Sequence, residues 1–317
     1  MGLSILIILI LLPYVAVVFR TGNMNGLAAE NRAPDIEDYV AGILPGQIPM
    51  TYEEEALKAQ AVIARTNLLQ KSINFYQTKD PVQVVAMVQE KDLEEIGFEY
   101  YTPAELQELW GYEQWEQYEK KIRKAVEATA GEFLALEGKP IDLPYHAVSA
   151  GKTRDGKVLG ETYSYLESVE CAGDLKSVDY LKVQTYSPEE FHAKVLLEET
   201  ASRKAGEMEE GLLEITARDQ AGYVTELRMG EQFLAGEEFR SRLGLNSSYF
   251  TIEETEEGVR ITTKGLGHGL GLSLYQANLQ ALDGKTYLEI LLYFYKNVEC
   301  ISFSQSGYAM VSNTGGV

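Results

Sequence analysis

The chain has 317 residues and a formal net charge of -20 at pH 7, with 45% hydrophobic and 24% charged residues. This composition is that of a globular protein with a sizeable core, so disorder is not the default. The acidic balance excludes nucleic acid as an expected partner, because a strongly negative surface repels phosphate backbones.

The N-terminal segment is the first predicted element. Residues 3–19 carry no charge and are long enough to cross a thin bilayer as a helix. No Lys or Arg precedes them and no small-x-small cleavage site follows closely, which favours a retained anchor over a cleaved signal peptide. We therefore expect residues 1–20 to anchor the protein in a membrane and residues 21–34 to form a polar tether. The domain that follows is expected outside the cytoplasm.

Two helical regions are predicted next. Thr51 and Glu54 fit a capping box, which predicts a helix that ends near Gln70. Its buried stripe is expected to comprise Leu57, Ala61, Ala64 and Leu68. A second helical pattern covers about residues 102–130, from Thr102 to Thr129. Its closely spaced aromatic side chains are expected to pack in the core: Trp110, Tyr112, Trp115 and Tyr118.

From Phe133 onward the pattern changes to short strands. The predicted strands are 133–136 with 141–148 around a turn at 137–140, 212–217 with 223–229, and 249–253 with 259–263. Helices are predicted near 188–197 and 236–243. Because no regular βαβ rhythm appears, we predict an α+β fold, a single mixed domain of short antiparallel strands and packed helices. The domain is expected to cover residues 35–300, with a flexible tail at 301–317.

The cysteines and histidines do not indicate a metal site. Cys171 and Cys300 could pair outside the cytoplasm or remain two free buried thiols, and the sequence leaves both alternatives open. The histidines show no ligand spacing of the kind that zinc sites use: His146, His192 and His268. No metal and no cofactor are therefore predicted.

The densest glycine pattern is GLGHGLGLS at residues 265–273, called here the glycine turn, ahead of a predicted helix. Alternating glycines allow a backbone to approach a ligand closely, and a helix N-terminus offers free amide donors. The spacing differs from the GxGxxG of dinucleotide-binding folds, which argues against that function. His268 is a candidate functional residue, with a loop histidine satisfied by backbone as the alternative.

A second cluster is YHAVSAGKT at residues 145–153, called here the central motif, where a strand ends in small and hydroxylated residues. It lacks the GxSxG elbow of many serine hydrolases, which argues against that class. His146 is a candidate functional residue, and the alternative is a hairpin end with a buried histidine.

Together these segments resemble a known family. The runs IEDYVAGI at 36–43 and EALKAQAVIART at 55–66, with Pro49 between them, resemble the stage II sporulation protein D and amidase-enhancer (LytB) family. The central motif and the glycine turn are similar to two later motifs of that family, and residues 239–250 are similar to the stretch before the last one. The motifs occur in the family's order between residues 35 and 300.

The resemblance implies a lytic transglycosylase that cuts denuded glycan strands of peptidoglycan during engulfment, alongside a partner amidase. Other membrane proteins of sporulation are further candidate partners. One carboxylic acid suffices for this chemistry, because it first protonates the glycosidic oxygen and then accepts the proton of the muramic 6-hydroxyl. The resemblance also implies sugar-binding roles for residues of its motifs: Arg65, Ser149, Gly151, Thr153, Gly267, Gly269 and Ser273.

The sequence departs from this family at the acid. The family has a glutamate just before a Met-Pro pair, whereas the matching segment here is PGQIP, with Gln47 at the position of the acid. An amide can hydrogen-bond a sugar but cannot donate a catalytic proton. The glycine turn departs as well, since Leu274 and Gln276 stand where the family has glutamine and glycine.

Three hypotheses follow. An active enzyme would use another acid, with Glu53, Glu54 and Glu55 as candidates, although acidic residues at a helix start more often complement its dipole. A non-catalytic glycan-binding protein would activate or assist a cell-wall amidase, and Gln47 favours this second hypothesis. A scaffold for other membrane proteins is the third. In the first two, the segment around Gln47 is expected to meet His146 and His268 in one pocket.

Overall fold

The computed structural model describes residues 35–195, 213–255 and 258–303. The predicted anchor and tether lie outside these residues, as do residues 196–197 of one predicted helix, Leu212 of one predicted strand, and residues 304–317 of the predicted tail. Within the described ranges, no helix is both long and apolar enough to cross a membrane.

The described part is a mixed α+β domain with short antiparallel sheets, as predicted. Its helices are α1 Ile36–Ile43, α2 Glu54–Phe75, α3 Pro81–Met87, α4 Leu93–Ile96, α5 Pro103–Trp110, α6 Tyr112–Ala128, α7 Pro188–Val195, α8 Gly236–Leu243, α9 Leu274–Leu282 and α10 Tyr287–Phe294. Its strands are β1 Glu132–Leu136, β2 Lys139–Pro140, β3 Tyr145–His146, β4 Leu181–Tyr186, β5 Leu213–Arg218, β6 Val224–Met229, β7 Gln232–Ala235, β8 Phe250–Thr255, β9 Gly258–Lys264, β10 Leu272–Ser273 and β11 Glu299–Ser302. The sheet orders are β11-β1-β2, β4-β9-β8, β5-β6-β7 and the parallel pair β10-β3.

Helix α2 is the centre of the larger core. The predicted stripe is fully buried, but nearly every other side chain between Ala56 and Leu69 is buried too, so the helix is covered on all sides. The predicted Thr51 cap is wrong, because α2 begins after Glu53 and extends to Phe75. Lys121 of α6 explains the difference: its Nζ donates to the carbonyl oxygens of Met50, at 2.9 Å, and of Tyr52, which holds these residues in a turn before the helix.

The predicted helix at 102–130 is two helices. Gly111, with φ of 74°, separates α5 from α6. The prediction that these aromatic residues pack in the core is confirmed only in part: Trp110 and Tyr118 are partly buried against the larger core, whereas Tyr112 is 49% exposed. Trp110 stacks on Trp115 and meets Tyr118 edge-on. Helix α6 instead buries Ile122, Ala125 and Val126.

The strand predictions had mixed outcomes. Hairpins β5-β6 and β8-β9, helix α8 and strand β1 are confirmed. The predicted strand at 141–148 is wrong: only Tyr145 and His146 form a strand, which pairs in parallel with β10, and Val148 makes an isolated bridge to Leu266. Pro144 lacks an amide proton and interrupts the predicted run. The turn after β1 is shorter than predicted, because Glu137 and Gly138 both adopt positive φ in a two-residue loop.

A second, smaller hydrophobic core lies between sheets β4-β9-β8 and β5-β6-β7 and helices α7 and α8. Phe239 of α8 is its centre, with the ring of Phe250 5.1 Å away and that of Phe191 6.1 Å away. In the larger core, β11 pairs with β1 and places Phe303 against Phe133. The packed domain therefore continues to Phe303, past the predicted boundary at residue 300.

Candidate functional site

Gln47 lines a small cavity. It ends a 3-10 turn at Leu44–Gly46, and its side-chain oxygen accepts a hydrogen bond of 2.9 Å from Nε2 of the fully buried Gln60 of α2. Helix α2 therefore fixes the Gln47 amide through its oxygen atom. The cavity, called here the Gln47 cavity, measures about 190 Å³ and is lined by Gly46, Gln47, Asn67, Lys71, Gly97, Phe98, Glu99 and Tyr145.

A wider depression adjoins the Gln47 cavity. It measures about 800 Å³ and shares Gly97, Phe98 and Glu99 with the smaller space. Ligand pockets of small molecules span about 300–1,000 Å³, so the two spaces together are large enough for sugar units where the smaller one alone is not. The expected convergence is partial: Tyr145 brings β3 to Gln47, whereas His146 and His268 are not among the residues that line the cavity.

His146 and His268 lie side by side. Their ring centroids are 5.8 Å apart. The Leu270 backbone bonds both rings, since its carbonyl oxygen is 3.0 Å from Nδ1 of His146 and its N–H donates to Nδ1 of His268 at 3.1 Å. Burial lowers the pKa of His146 to about 3 and also lowers the pKa of His268, so both rings are neutral at neutral pH. Nε2 of His146 is buried without a hydrogen-bond partner among the described residues.

The glycines of the glycine turn make room for the protein's own chain. A Cβ on Gly267 would lie 2.6 Å from Cβ of His146, and one on Gly269 would lie 2.4 Å from the Tyr223 ring. At Gly271, with φ of 67°, the added atom would be 1.8 Å from the carbonyl oxygen of Pro144. The close approach that the sequence predicted for a ligand is thus made here by Pro144, His146 and Tyr223.

A buried aspartate links the two histidine-containing segments. Oδ2 of Asp174 accepts a hydrogen bond of 2.7 Å from the N–H of Ser149 and one of 2.8 Å from the hydroxyl of Ser273. Burial raises the pKa of the Asp174 carboxyl, whose other oxygen has no hydrogen-bond partner in the described chain. Ser273 is also the N-cap of α9. Sequence reasoning missed Asp174, because a single acidic residue in a turn belongs to no recognisable pattern.

The remaining central-motif candidates bond within the loop. The Gly151 N–H donates to the Ser149 hydroxyl, and the Thr153 hydroxyl accepts from the Val169 N–H at 2.9 Å.

Arg154, which the sequence analysis also missed, is buried and joins the two cores. Its guanidinium donates to three partners, Asp219 at 2.6 Å, Glu237 at 3.0 Å and the carbonyl oxygen of His268 at 3.3 Å.

Arg65 lies apart from the Gln47 cavity lining. It is fully buried, and its Nε donates to both carboxylate oxygens of Glu37 at 3.0 and 3.1 Å. Its Nη1 donates to the carbonyl oxygen of Glu132 at 2.9 Å. The Arg65 guanidinium therefore connects α2 to α1 and β1 and stabilises the larger core.

The acids at the start of α2 do not line the cavity either. Glu54 contacts Lys58 and Lys124, and these hydrogen bonds lower the pKa of its carboxyl, which is the opposite of what a proton donor requires. Glu55 accepts from Lys58 and from the N–H of Tyr287, both at 2.7 Å. Glu53 is exposed at the N-cap of the helix.

Cys171 and Cys300 are free thiols in the structure. Burial raises the pKa of both, that of Cys300 to about 12. Because the thiolate is the reactive form, neither cysteine is suited to act as a nucleophile.

Comparison with known proteins agrees with the resemblance in the motifs. A family model described as stage II sporulation protein (SpoIID) matches residues 25–136. Stage II sporulation protein D of Bacillus subtilis is 31% identical over 288 residues, which cover 90% of this chain and 79% of that protein. An uncharacterised protein of Brachyspira hyodysenteriae is 26% identical over 86% of this chain and 68% of its own length. The amidase enhancer of Bacillus subtilis is 24% identical over 83% of this chain and 40% of that protein.

Proposed function

Because the chain belongs to the stage II sporulation protein D family, we propose that it acts on the cell wall in sporulation by binding peptidoglycan glycan strands at the Gln47 cavity. The cavity lies where the resemblance puts the family's acid, and this observation carries the proposal. Tyr145 offers aromatic surface for stacking on sugar rings, and Gln47 and Lys71 offer hydrogen-bond donors.

The proposal includes the location of the protein. We propose that residues 1–20 anchor it in a membrane with the domain outside the cytoplasm, where the glycan strands lie. Protease added to intact cells should then digest the domain, whereas full protection would contradict this orientation.

Binding at the Gln47 cavity is tested by sedimentation of the full chain, purified in detergent, with denuded glycan strands. Lys71→Met removes a cationic donor from the cavity and should weaken binding about tenfold or more, because a hydrogen bond to a charged group contributes about 1.5–3 kcal/mol. Lys120→Met is the matched control, since Lys120 is exposed on α6 and does not line the cavity. Equal binding by the two variants would contradict the assignment of the site.

Strand cleavage is the finer part of the proposal. Gln47 cannot supply the proton, so a lytic transglycosylase reaction requires another carboxylic acid at the cavity. Gln47→Glu should create or increase the anhydro-muramyl product, because it returns an acid to the family's position, and general acid catalysis contributes about 10²- to 10⁴-fold. An unchanged product profile with normal binding would count against cleavage at this site.

A second candidate function is non-catalytic activation of a cell-wall amidase. Gln47 favours it, and so does the similarity to a protein named amidase enhancer. The discriminating measurement is amidase activity on whole peptidoglycan with and without the chain. Stimulation without any anhydro-muramyl product supports activation, and failure to sediment with walls favours a scaffold for other membrane proteins.

His268→Ala should reduce binding or stimulation without unfolding the chain, whereas a large loss of melting temperature would show a structural histidine.

A further inference from the structure

We propose that Glu99 is the acid that cleaves glycan strands in this protein, in place of the glutamate that Gln47 replaces. The inference rests on the proposed function, because it requires a glycan strand in the Gln47 cavity. It names a catalytic residue that sequence reasoning did not consider, since Glu99 is more than fifty positions from Gln47 in the chain.

Glu99 is the one carboxylate among the residues that line the Gln47 cavity, and it lines the adjoining wider depression as well. Its Oε2 lies 3.2 Å from the place where a Cβ would stand on Gly46, the residue directly before Gln47. The Glu99 carboxyl therefore reaches over the turn that carries Gln47, at the boundary between the two spaces.

The hydroxyl of Tyr101 donates a hydrogen bond to Oε1 of Glu99, so that one carboxyl oxygen is held and the other faces Gly46. Gly46 has no side chain between that oxygen and the cavity, and both residues are exposed to solvent. An incoming glycosidic oxygen can thus reach Oε2.

The alternatives at the start of α2 lack these properties. Glu54 and Glu55 are held by Lys58, and none of the three acids from Glu53 to Glu55 lines the Gln47 cavity. Asp174 is fully buried behind Ser149 and does not line it either.

The chemistry balances without water, metal or cofactor. The protonated Glu99 carboxyl gives its proton to the glycosidic oxygen while the bond from that oxygen to the anomeric carbon breaks, and the electron pair stays on the departing oxygen. The resulting carboxylate then takes the proton of the muramic 6-hydroxyl while its oxygen bonds to the same anomeric carbon. One strand leaves with a free hydroxyl, the other ends in the 1,6-anhydro sugar, and the carboxylic acid is restored.

The test compares Glu99→Gln with the wild-type full chain in detergent on denuded glycan strands. Anhydro-muramyl ends are counted by mass spectrometry, and binding is measured by sedimentation. We expect Glu99→Gln to lower the product about 100-fold or more, as loss of a general acid does, with binding retained. The matched control is Glu95→Gln, because Glu95 is an exposed carboxylate of α4 outside both spaces, and it should cleave like the wild type.

Two further variants sharpen the result. Tyr101→Phe keeps the acid but removes the hydrogen bond that orients it, so a smaller loss of product is expected. The double variant Gln47→Glu with Glu99→Gln should recover cleavage by returning the acid to the family's position.

Equal product from Glu99→Gln and Glu95→Gln would overturn the assignment. Wild-type chain that binds strands but releases no anhydro ends would also overturn it, while leaving the proposed binding function intact. Absence of binding by the wild type would instead refute the proposed function itself.

Discussion

Asp174 is the residue whose replacement tests the architecture of the site most directly. Its Oδ2 accepts hydrogen bonds from Ser149 of the central motif and from Ser273 of the glycine turn. Asp174→Ala removes the oxygen that accepts both bonds and leaves the buried Ser149 N–H without its partner. At about 1.5 kcal/mol or more for each bond to a charged or buried group, the free energy of unfolding should fall by at least about 3 kcal/mol.

This loss is large enough to measure as a melting temperature. About 3 kcal/mol corresponds to a fall of roughly 6–12 °C for a domain of this size. The matched control is Asp179→Ala, because Asp179 is exposed in the same segment, and its melting temperature should change little. Equal melting temperatures for the two variants would refute the assigned role of Asp174 as the link between the segments.

The conservative replacement separates the hydrogen bonds from the charge. In Asp174→Asn the amide oxygen can accept both bonds, and the amide nitrogen takes the place of the oxygen that has no partner.

Burial raises the pKa of Asp174 above its ordinary value of 3.8, so the carboxyl stays protonated to a higher pH in the folded state than in the unfolded state. Wild-type stability from this group is therefore lost as pH rises from about 4 through the raised pKa.

The variant lacks this loss, so the difference in unfolding free energy should shift in favour of Asp174→Asn as pH rises above about 4. Denaturant titrations at a series of pH values measure the difference. A constant difference, or one that moves toward the wild type, would refute the argument from burial.

Three other predictions concern neighbouring features. Gly271→Ala places a Cβ against the Pro144 carbonyl oxygen and should destabilise the fold by several times the roughly 1 kcal/mol of Gly284→Ala, which has positive φ but open space; equal melting temperatures would contradict the clash. Arg65→Ala breaks a buried ion pair, so the free energy of unfolding should fall by about 3–5 kcal/mol. A variant that stays folded but loses glycan binding would contradict this structural role of Arg65. Because burial lowers the pKa of His146 to about 3, its contribution to stability is present above about pH 6.5 and is lost as pH falls toward 3; an unfolding profile in that range that is unchanged in His146→Gln would contradict this.

Local patterns predicted local structure well. The alternation in the two later hairpins and the run before Gly244 identified β5-β6, β8-β9 and α8, because each depends on neighbours close in the chain. The errors arise where distant residues decide. Lys121 holds the turn at Met50, which no pattern around Thr51 reveals, and β3 finds its partner in β10 rather than in a hairpin.

The site shows the same division. The predicted meeting of the His146 and His268 segments is present in the structure, whereas neither histidine lines the cavity beside Gln47. The sequence did not identify three further residues: Asp174, Arg154 and Glu99. Their roles depend on contacts with residues distant in the chain, and none of them belongs to a short sequence pattern. The alternating glycines predicted close approach of a ligand to the backbone, whereas the structure shows close approach of the protein's own residues.

The parallel pairing of β3 with β10 has a consequence for how the protein matures. It joins Tyr145 to Leu272, segments more than a hundred residues apart, and loop closure of that length is slow relative to local helix formation. A chain that emerges N-terminus first would complete α2 and the Gln47 turn long before the glycine turn arrives to meet the central motif. The protein would thus acquire its histidine pair later than its Gln47 cavity, whose lining residues end at Tyr145.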